Sequence, residues 1–182
     1  WSTNEYDDSR WRLLDLPHDW AIEGDFSANH PAGAGGGALP GGIAWYRKHF
    51  YVKDVCRYFL EFDGIYMNAV VFVNGEVVDY RPYGYSSFEI DITRYLRCNG
   101  NVIAVRVDNS DQPNSRWYSG CGIYRHVWLT KTDDVHVKHW GMYVETDAKT
   151  GAVKVKTDVA GKDFRVNYSV LNAAGQEVAR GV

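Results

Sequence analysis

From residue 45 to residue 129 the chain reads as short runs of alternating apolar and polar residues, each closed by turn-forming residues. This rhythm constrains the fold more than any other feature of the sequence. A period of two puts one face of a strand inward and the other outward. Short strands at this spacing build a β-sandwich or barrel rather than an α/β fold. The clearest case is the pair of runs 69–73 and 76–80, which flank Asn74-Gly75. Both turn residues tolerate positive φ, so the pair predicts a two-residue hairpin. Further strands are predicted at 45–52, 57–62, 88–92, 101–107 and 124–129. In 101–107 the residues Ile103, Val105 and Val107 fall on one face. Helical periodicity is scarce: residues 11–20 have room for a short turn, but Pro17 interrupts it. Residues 31–42 are half glycine, which predicts a loop lying close to another surface.

Composition excludes several functions. Net charge is −3 without a basic run, which argues against electrostatic binding of nucleic acid. No apolar stretch approaches the roughly 18 residues that cross a membrane. Aromatic residues make up 15% of the chain, with 7 Trp and 13 Tyr, and supply flat apolar faces with a polar tip. Cys56, Cys98 and Cys121 are odd in number, so they predict free and mostly buried thiols. No CxxC, paired His or phosphate loop is present, so no metal and no cofactor is expected.

The character changes near Lys131-Thr132-Asp133-Asp134. Further strands are expected at 135–137, 142–144, 153–159 and 164–171, with a turn at 160–163. This divides the chain into a first domain at 1–132 and a second at 133–182. The second holds about four strands against the roughly seven of an immunoglobulin-type sandwich. The expectation is therefore a truncated domain, with Val182 not the natural C-terminus.

Candidate functional residues follow from chemistry. Asp7-Asp8 and Asp133-Asp134 are adjacent pairs in polar surroundings and are read as solvated charges. Successive strand residues face opposite ways, so neither makes a catalytic pair. His18-Asp19 looks like a proton relay, but no nucleophile accompanies it. These residues are expected to satisfy loop groups while Trp20 plugs an end of the sheet structure. Ser115-Arg116-Trp117-Tyr118-Ser119-Gly120 is the best site candidate, following a strand and the turn-rich run 108–114. Arg116 offers a fixed fork of donors suited to sugar hydroxyls or a carboxylate, and Trp117 a face for a pyranose ring. The competing reading pairs Arg116 with an acid and buries Trp117. Tyr83-Gly84-Tyr85-Ser86 is either an aromatic platform or ordinary strand packing. Asn109, Asp111 and Asn114 are read as turn residues rather than calcium ligands.

Several stretches together resemble glycoside hydrolase family 2, the β-galactosidase and β-glucuronidase family. They are Trp11-Arg-Leu-Leu-Asp-Leu-Pro-His-Asp-Trp20, Pro40-Gly-Gly-Ile-Ala-Trp-Tyr-Arg-Lys48, Asp63-Gly-Ile-Tyr-Met-Asn-Ala69 and Val73-Asn-Gly75. Tyr83-Gly-Tyr-Ser-Ser-Phe88 follows, then Val105-Arg-Val-Asp-Asn-Ser110 and Ser115-Arg-Trp-Tyr-Ser-Gly-Cys-Gly-Ile-Tyr-Arg125. The resemblance covers about 8–132, and the tail resembles the start of the family's immunoglobulin-like domain. It implies an all-β chain: a jelly-roll β-sandwich of the sugar-binding type, then a partial immunoglobulin-like segment. It also implies a catalytic TIM barrel elsewhere in the parent protein, whose two glutamates hydrolyse β-glycosides with retention. Nothing in residues 1–182 resembles that barrel, and Asn4-Glu5, which mimics its acid/base dipeptide, sits in an N-terminal arm. No catalytic residue is therefore expected in this chain. By similarity, a loop of this domain reaches the active-site mouth, which makes Arg116, Trp117, Asn114 and Asn29 the substrate-binding candidates. Asn29 is equally readable as a turn residue. The implied partners are a β-galactoside-like carbohydrate and the barrel and immunoglobulin-like domain of the parent chain, with homo-oligomerisation left open. The implied location is periplasmic or secreted. A stand-alone carbohydrate-binding module and a purely structural domain are the alternatives. The sugar, whether galactose, glucuronic acid or mannose, is not legible.

Overall fold

The structure is a computed structural model that describes residues 1–181. It falls into two units, Trp1–Lys131 and Thr132–Val182.

The first unit is a jelly-roll sandwich of two antiparallel sheets. Its strands are β1 (Gly42–Phe50), β2 (Arg57–Phe62), β3 (Ala69–Val73), β4 (Glu76–Arg81), β5 (Phe88–Asp91), β6 (Asn101–Asn109) and β7 (Val127–Thr132). One sheet runs β1-β6-β3-β4 and the other β5-β2-β7. Alternate residues of both sheets meet in one core: Tyr58, Leu60 and Phe62 with Phe88 and Ile90 from one, Val71, Val73, Val105 and Val107 from the other. The hairpin at Asn74-Gly75 forms with φ of 53° and 90°, as a two-residue turn between paired β3 and β4 requires.

Strand β6 departs from simple alternation. It lies between β1 and β3, and Val102, Ile103, Ala104 and Val105 are all buried. The reason is an N-terminal arm over the outer face of this sheet. There Trp1 sets its ring edge-on to Trp45 at 5.6 Å and to Trp11 at 6.5 Å, and Trp45 stacks on Phe72 at 5.5 Å. Asp8 accepts from Arg47 Nε at 2.7 Å and pairs with His49 Nε2 at 2.8 Å. This corrects the reading of Asp7-Asp8 as solvated: Asp7 is exposed and caps the Ser9 amide at 3.0 Å, whereas Asp8 is half-buried and paired.

Other expectations shift. Residues 11–20 are not helical; a 3-10 turn forms instead at Ala21–Glu23. Strand β7 starts later than expected because Tyr124 and His126 are held by loops: Tyr124 Oη donates to Gly84 O at 2.8 Å, and His126 O accepts the Asp63 amide at 3.0 Å. Of the three free thiols only Cys121 is buried; Cys56 is half-buried and Cys98 exposed, correcting the expectation of mostly buried sulfurs.

The second unit has four strands in two separate antiparallel pairs. They are β8 (His136–Asp147) with β9 (Ala152–Ala160), and β10 (Tyr168–Leu171) with β11 (Glu177–Gly181). The two strands expected at 135–137 and 142–144 are one strand, with a register break between Val137 and Met142. The strand expected from residue 164 begins at Tyr168, and β11 was not foreseen. No described residue of this unit is buried.

Candidate functional site

The site is built at the end of the first sheet where β1 begins and β6 ends, since Gly42 pairs with Asn109. The chain leaves β6 at Asn109 and returns through 110–126. Asn109 is 3% exposed and ties the loop to itself. Its Nδ2 donates to Gly120 O at 3.1 Å and Cys121 Sγ at 3.0 Å. Its Oδ1 accepts from Gln112 Nε2 at 2.8 Å and Asn114 Nδ2 at 2.7 Å.

The returning strand is gripped on both sides. His18 N donates to Ile123 O at 2.8 Å and Trp20 N to Cys121 O at 3.1 Å. Tyr66 and Gly122 exchange two backbone bonds of 2.9 Å. The sequence Gly120-Cys-Gly122 follows from this grip. Gly122 has φ of 124°, and a Cβ there would lie 2.4 Å from Tyr46 Oη and 2.8 Å from His18 O. Cys121 between the glycines is buried with Ala21 and Leu39. Burial, with the Asp19 carboxylate nearby, pushes its thiol up to about 11 against the Asn109 hydrogen bond. It is packing, not a nucleophile.

With its base fixed, the loop presents residues 116–118 outward. Trp117 is 64% exposed, which overturns the reading of it as core. Arg116 is exposed, and among the described residues its side chain has no ion pair or hydrogen bond. Asn114 is exposed, but its amide nitrogen is spent on Asn109 Oδ1 and on Asp111 O at 2.9 Å. This is turn duty, and among the described residues Oδ1 accepts no hydrogen bond. Tyr118 donates its hydroxyl to Asp19 Oδ2, while Asp19 Oδ1 accepts the Ala21 amide at 2.9 Å. Burial and this bond raise the Tyr118 phenol well above its ordinary value, so it stays a donor. His18 sits between the Tyr46 hydroxyl at 2.8 Å and Arg12 at 2.9 Å. His18 and Asp19 therefore hold loops together.

The glycine loop comes to the same place. It closes on itself through Ser27 N to Ala38 O at 2.9 Å and Ala38 N to Gly33 O at 2.8 Å. A Cβ at Gly35 would lie 3.5 Å from Arg116 O, and one at Gly37 3.7 Å from Tyr118 Cβ. The predicted close approach is thus to the 116–118 loop. Asn29 is exposed on this loop, with its backbone N–H donating to Ser27 Oγ at 3.2 Å.

A third loop arrives through a residue that sequence reasoning did not single out. Tyr66 is 5% exposed, pairs its backbone with Gly122 and sets its ring edge-on to that of Tyr85 at 5.2 Å. Its only sequence signal is its place in the motif Asp63-Gly-Ile-Tyr-Met-Asn-Ala69. The three loops together offer hydrogen-bond donors and aromatic faces. Among the described residues no group of three or more His, Cys, Asp or Glu is placed to hold a metal ion. The arrangement suits binding of a hydroxyl-rich ligand.

Residues 39–133, the stretch that holds all the strands of the sandwich, match the sugar binding domain of glycosyl hydrolases family 2. The chain belongs to this family. The beta-galactosidase BoGH2A of Bacteroides ovatus is 55% identical over 94% of the chain, which spans 22% of that protein. A putative beta-glucuronidase of Formosa agariphila is 40% identical over 98% of the chain and 18% of that protein. Among solved structures, a beta-glycosidase from Bacteroides vulgatus superposes with a TM-score of 0.93 at 33% identity. It covers 98% of this chain, and 24% of that chain is matched. A family 2 member from Bacteroides cellulosilyticus gives 0.88 at 38% identity, with 99% and 25% covered. The chain thus spans about a fifth to a quarter of the relatives it matches. Within this family 2 domain, Arg116, Trp117 and Asn114 lie in the matched region, whereas Asn29 lies outside it.

Proposed function

We propose that this chain is the non-catalytic sugar-binding part of a longer family 2 glycosidase of the β-galactosidase type, acting on terminal β-glycosides with retention. In this reading 1–132 is the sugar-binding domain and 133–182 the start of an immunoglobulin-like one. The carboxylates of hydrolysis belong to a barrel outside this chain. One observation carries the reading: Arg116, with no partner among the described residues, stands beside exposed Trp117 on a loop whose base is rigid. A guanidinium held ready on a fixed loop loses little entropy when it donates to sugar hydroxyls. Trp117 supplies a stacking face, Asn114 Oδ1 an acceptor, and Asn29 a contact from the glycine loop. The identity to a beta-galactosidase supports the sugar.

The test is made on the full-length protein with a panel of chromogenic glycosides. Arg116→Ala is expected to lower kcat/KM on the preferred glycoside by about tenfold or more, the scale of a charged hydrogen bond. The melting temperature should stay within about 2 °C, since no contact of the fold is removed. Equal loss of stability and activity would instead assign Arg116 a structural role. A second reading, a β-glucuronidase, is favoured by the same free guanidinium, which suits a carboxylate, and by the Formosa agariphila relative. Turnover of the glucuronide rather than the galactoside in that panel would select it. Sugar binding by the 182-residue chain alone would favour a stand-alone module.

A further inference from the structure

Tyr83 and Tyr85 lie far in sequence from Arg116, yet the fold delivers them to its loop. They are 63% and 42% exposed, so strand packing does not account for them. Their rings meet edge to face at 5.7 Å, and Tyr85 meets Tyr66 in the same way at 5.2 Å. The loop that carries them is held from both sides. Gly84 O accepts the Tyr124 hydroxyl at 2.8 Å, and a Cβ at Gly84 would lie 2.3 Å from Tyr66 Cδ2. The glycine is what lets the chain between the two tyrosines pass against the Tyr66 ring. The segment at Tyr66 then joins this loop to the one that bears Arg116: Tyr66 pairs its backbone with Gly122, and Asn114 Nδ2 lies 3.6 Å from Met67 Sδ.

We propose that Tyr83 and Tyr85 form a second sugar subsite, for the unit next to the one contacted by Arg116. The chemistry fits an uncharged pyranose. An exposed phenol ring takes the C–H face of a sugar, and its hydroxyl exchanges hydrogen bonds with the sugar's own. The neighbouring cations are already engaged, Arg81 over Phe88 at 4.8 Å and Arg125 over Tyr124 at 5.2 Å. Asn114, which Met67 meets, is two residues from Arg116, a reach of about 7 Å, which an oligosaccharide spans. The proposal rests on the reading of the 115–119 loop as sugar-facing.

The test compares two substrates of the full-length protein, methyl β-galactoside and lactose, or the same pair for whichever sugar the chromogenic panel selects. The readout is the ratio of kcat/KM on the disaccharide to that on the methyl glycoside. Tyr83→Ala is expected to lower this ratio about fivefold, the scale of one aromatic contact. Tyr83→Trp, which keeps a stacking face, should restore it. A ratio unmoved by Tyr83→Ala overturns the proposal. So does a fall in melting temperature that tracks an equal loss on both substrates, which would mean another part of the protein covers the patch. Failure of the underlying reading looks different: Arg116→Ala would leave both substrates untouched while the Tyr83→Ala ratio still shifts.

Discussion

Arg47 carries a full charge on a side chain only 1% exposed. Such a group is tolerable only when every donor finds an acceptor. The N-terminal arm supplies them: the Asp8 carboxylate, Thr3 O at 3.1 Å, Tyr6 O at 3.4 Å and Trp1 O, with the Tyr6 ring 5.4 Å away. The Arg47 hydrogen bond holds the Asp8 carboxyl below its usual range, with burial opposing and His49 adding to it. A depressed carboxylate contributes stability that is present above its unfolded value, about 3.9, and is lost as pH falls through the lower folded value. Asp8→Asn should therefore cost about 2 kcal/mol at neutral pH, less than a fully buried pair because Asp8 keeps contact with water. Denaturant unfolding of both proteins should show that gap at neutral pH and a progressively smaller one as pH falls below about 3.9, toward the lowered folded value. A gap that does not change with pH would mean that the Asp8 charge is not what holds the arm. Nothing near Asp8 in sequence announces this role, because its partner is 39 residues away. The same blindness hid the bond from Tyr118 to Asp19, 99 residues apart.

The β3–β4 hairpin shows what local sequence does and does not convey. Asn-Gly between apolar runs specified the turn, because its backbone demand is met by two residues alone. The same Asn74 also does something no local pattern encodes. Its side chain is 8% exposed. Its Nδ2 donates to Tyr95 O and Asn101 Oδ1, both at 2.8 Å, and its Oδ1 accepts the Val102 amide and Asn4 Nδ2, both at 3.0 Å. One amide thus joins the hairpin, the start of β6, the turn before it and the N-terminal arm. Were the turn all that mattered, Asn74→Gly would be near neutral, since glycine accepts positive φ. The expected result is a loss of about 2–3 kcal/mol in denaturant unfolding, from buried donors and acceptors left unpaired. Strand ends were misjudged for a related reason. Tyr124 and His126 read as strand, but long-range bonds to Gly84 and Asp63 hold them in a loop. The candidate site divides in the same way. The Ser115–Gly120 loop was legible as an exposed turn-flanked motif, while the link through Tyr66 exists only once the sheets have folded.

At the scale of the molecule the two units differ in what they bury. The first closes a core between two sheets, with Leu60, Phe62, Val71, Val73 and Val107 each at most 1% exposed. The second pairs its strands but buries no described residue. Val137, Trp140, Met142, Val144, Val153, Leu171 and Val178 are each between 47% and 66% exposed. Two-stranded pairs without a covered apolar face are marginal in water, since backbone hydrogen bonds alone do not offset the entropy of ordering. Hydrogen exchange on the 182-residue chain should separate the units accordingly. Amides of β6, flanked on both sides in its sheet, should exchange only through global opening. Amides of β8 to β11 should exchange faster by at least about two orders of magnitude, through local opening of each pair. Protection of β8 and β9 equal to that of β6 would contradict this, and would show that their apolar side chains are covered in solution. Faster exchange would place the stability of the chain in the sandwich that carries the Arg116 and Tyr83–Tyr85 loops, where a binding surface most needs a rigid base.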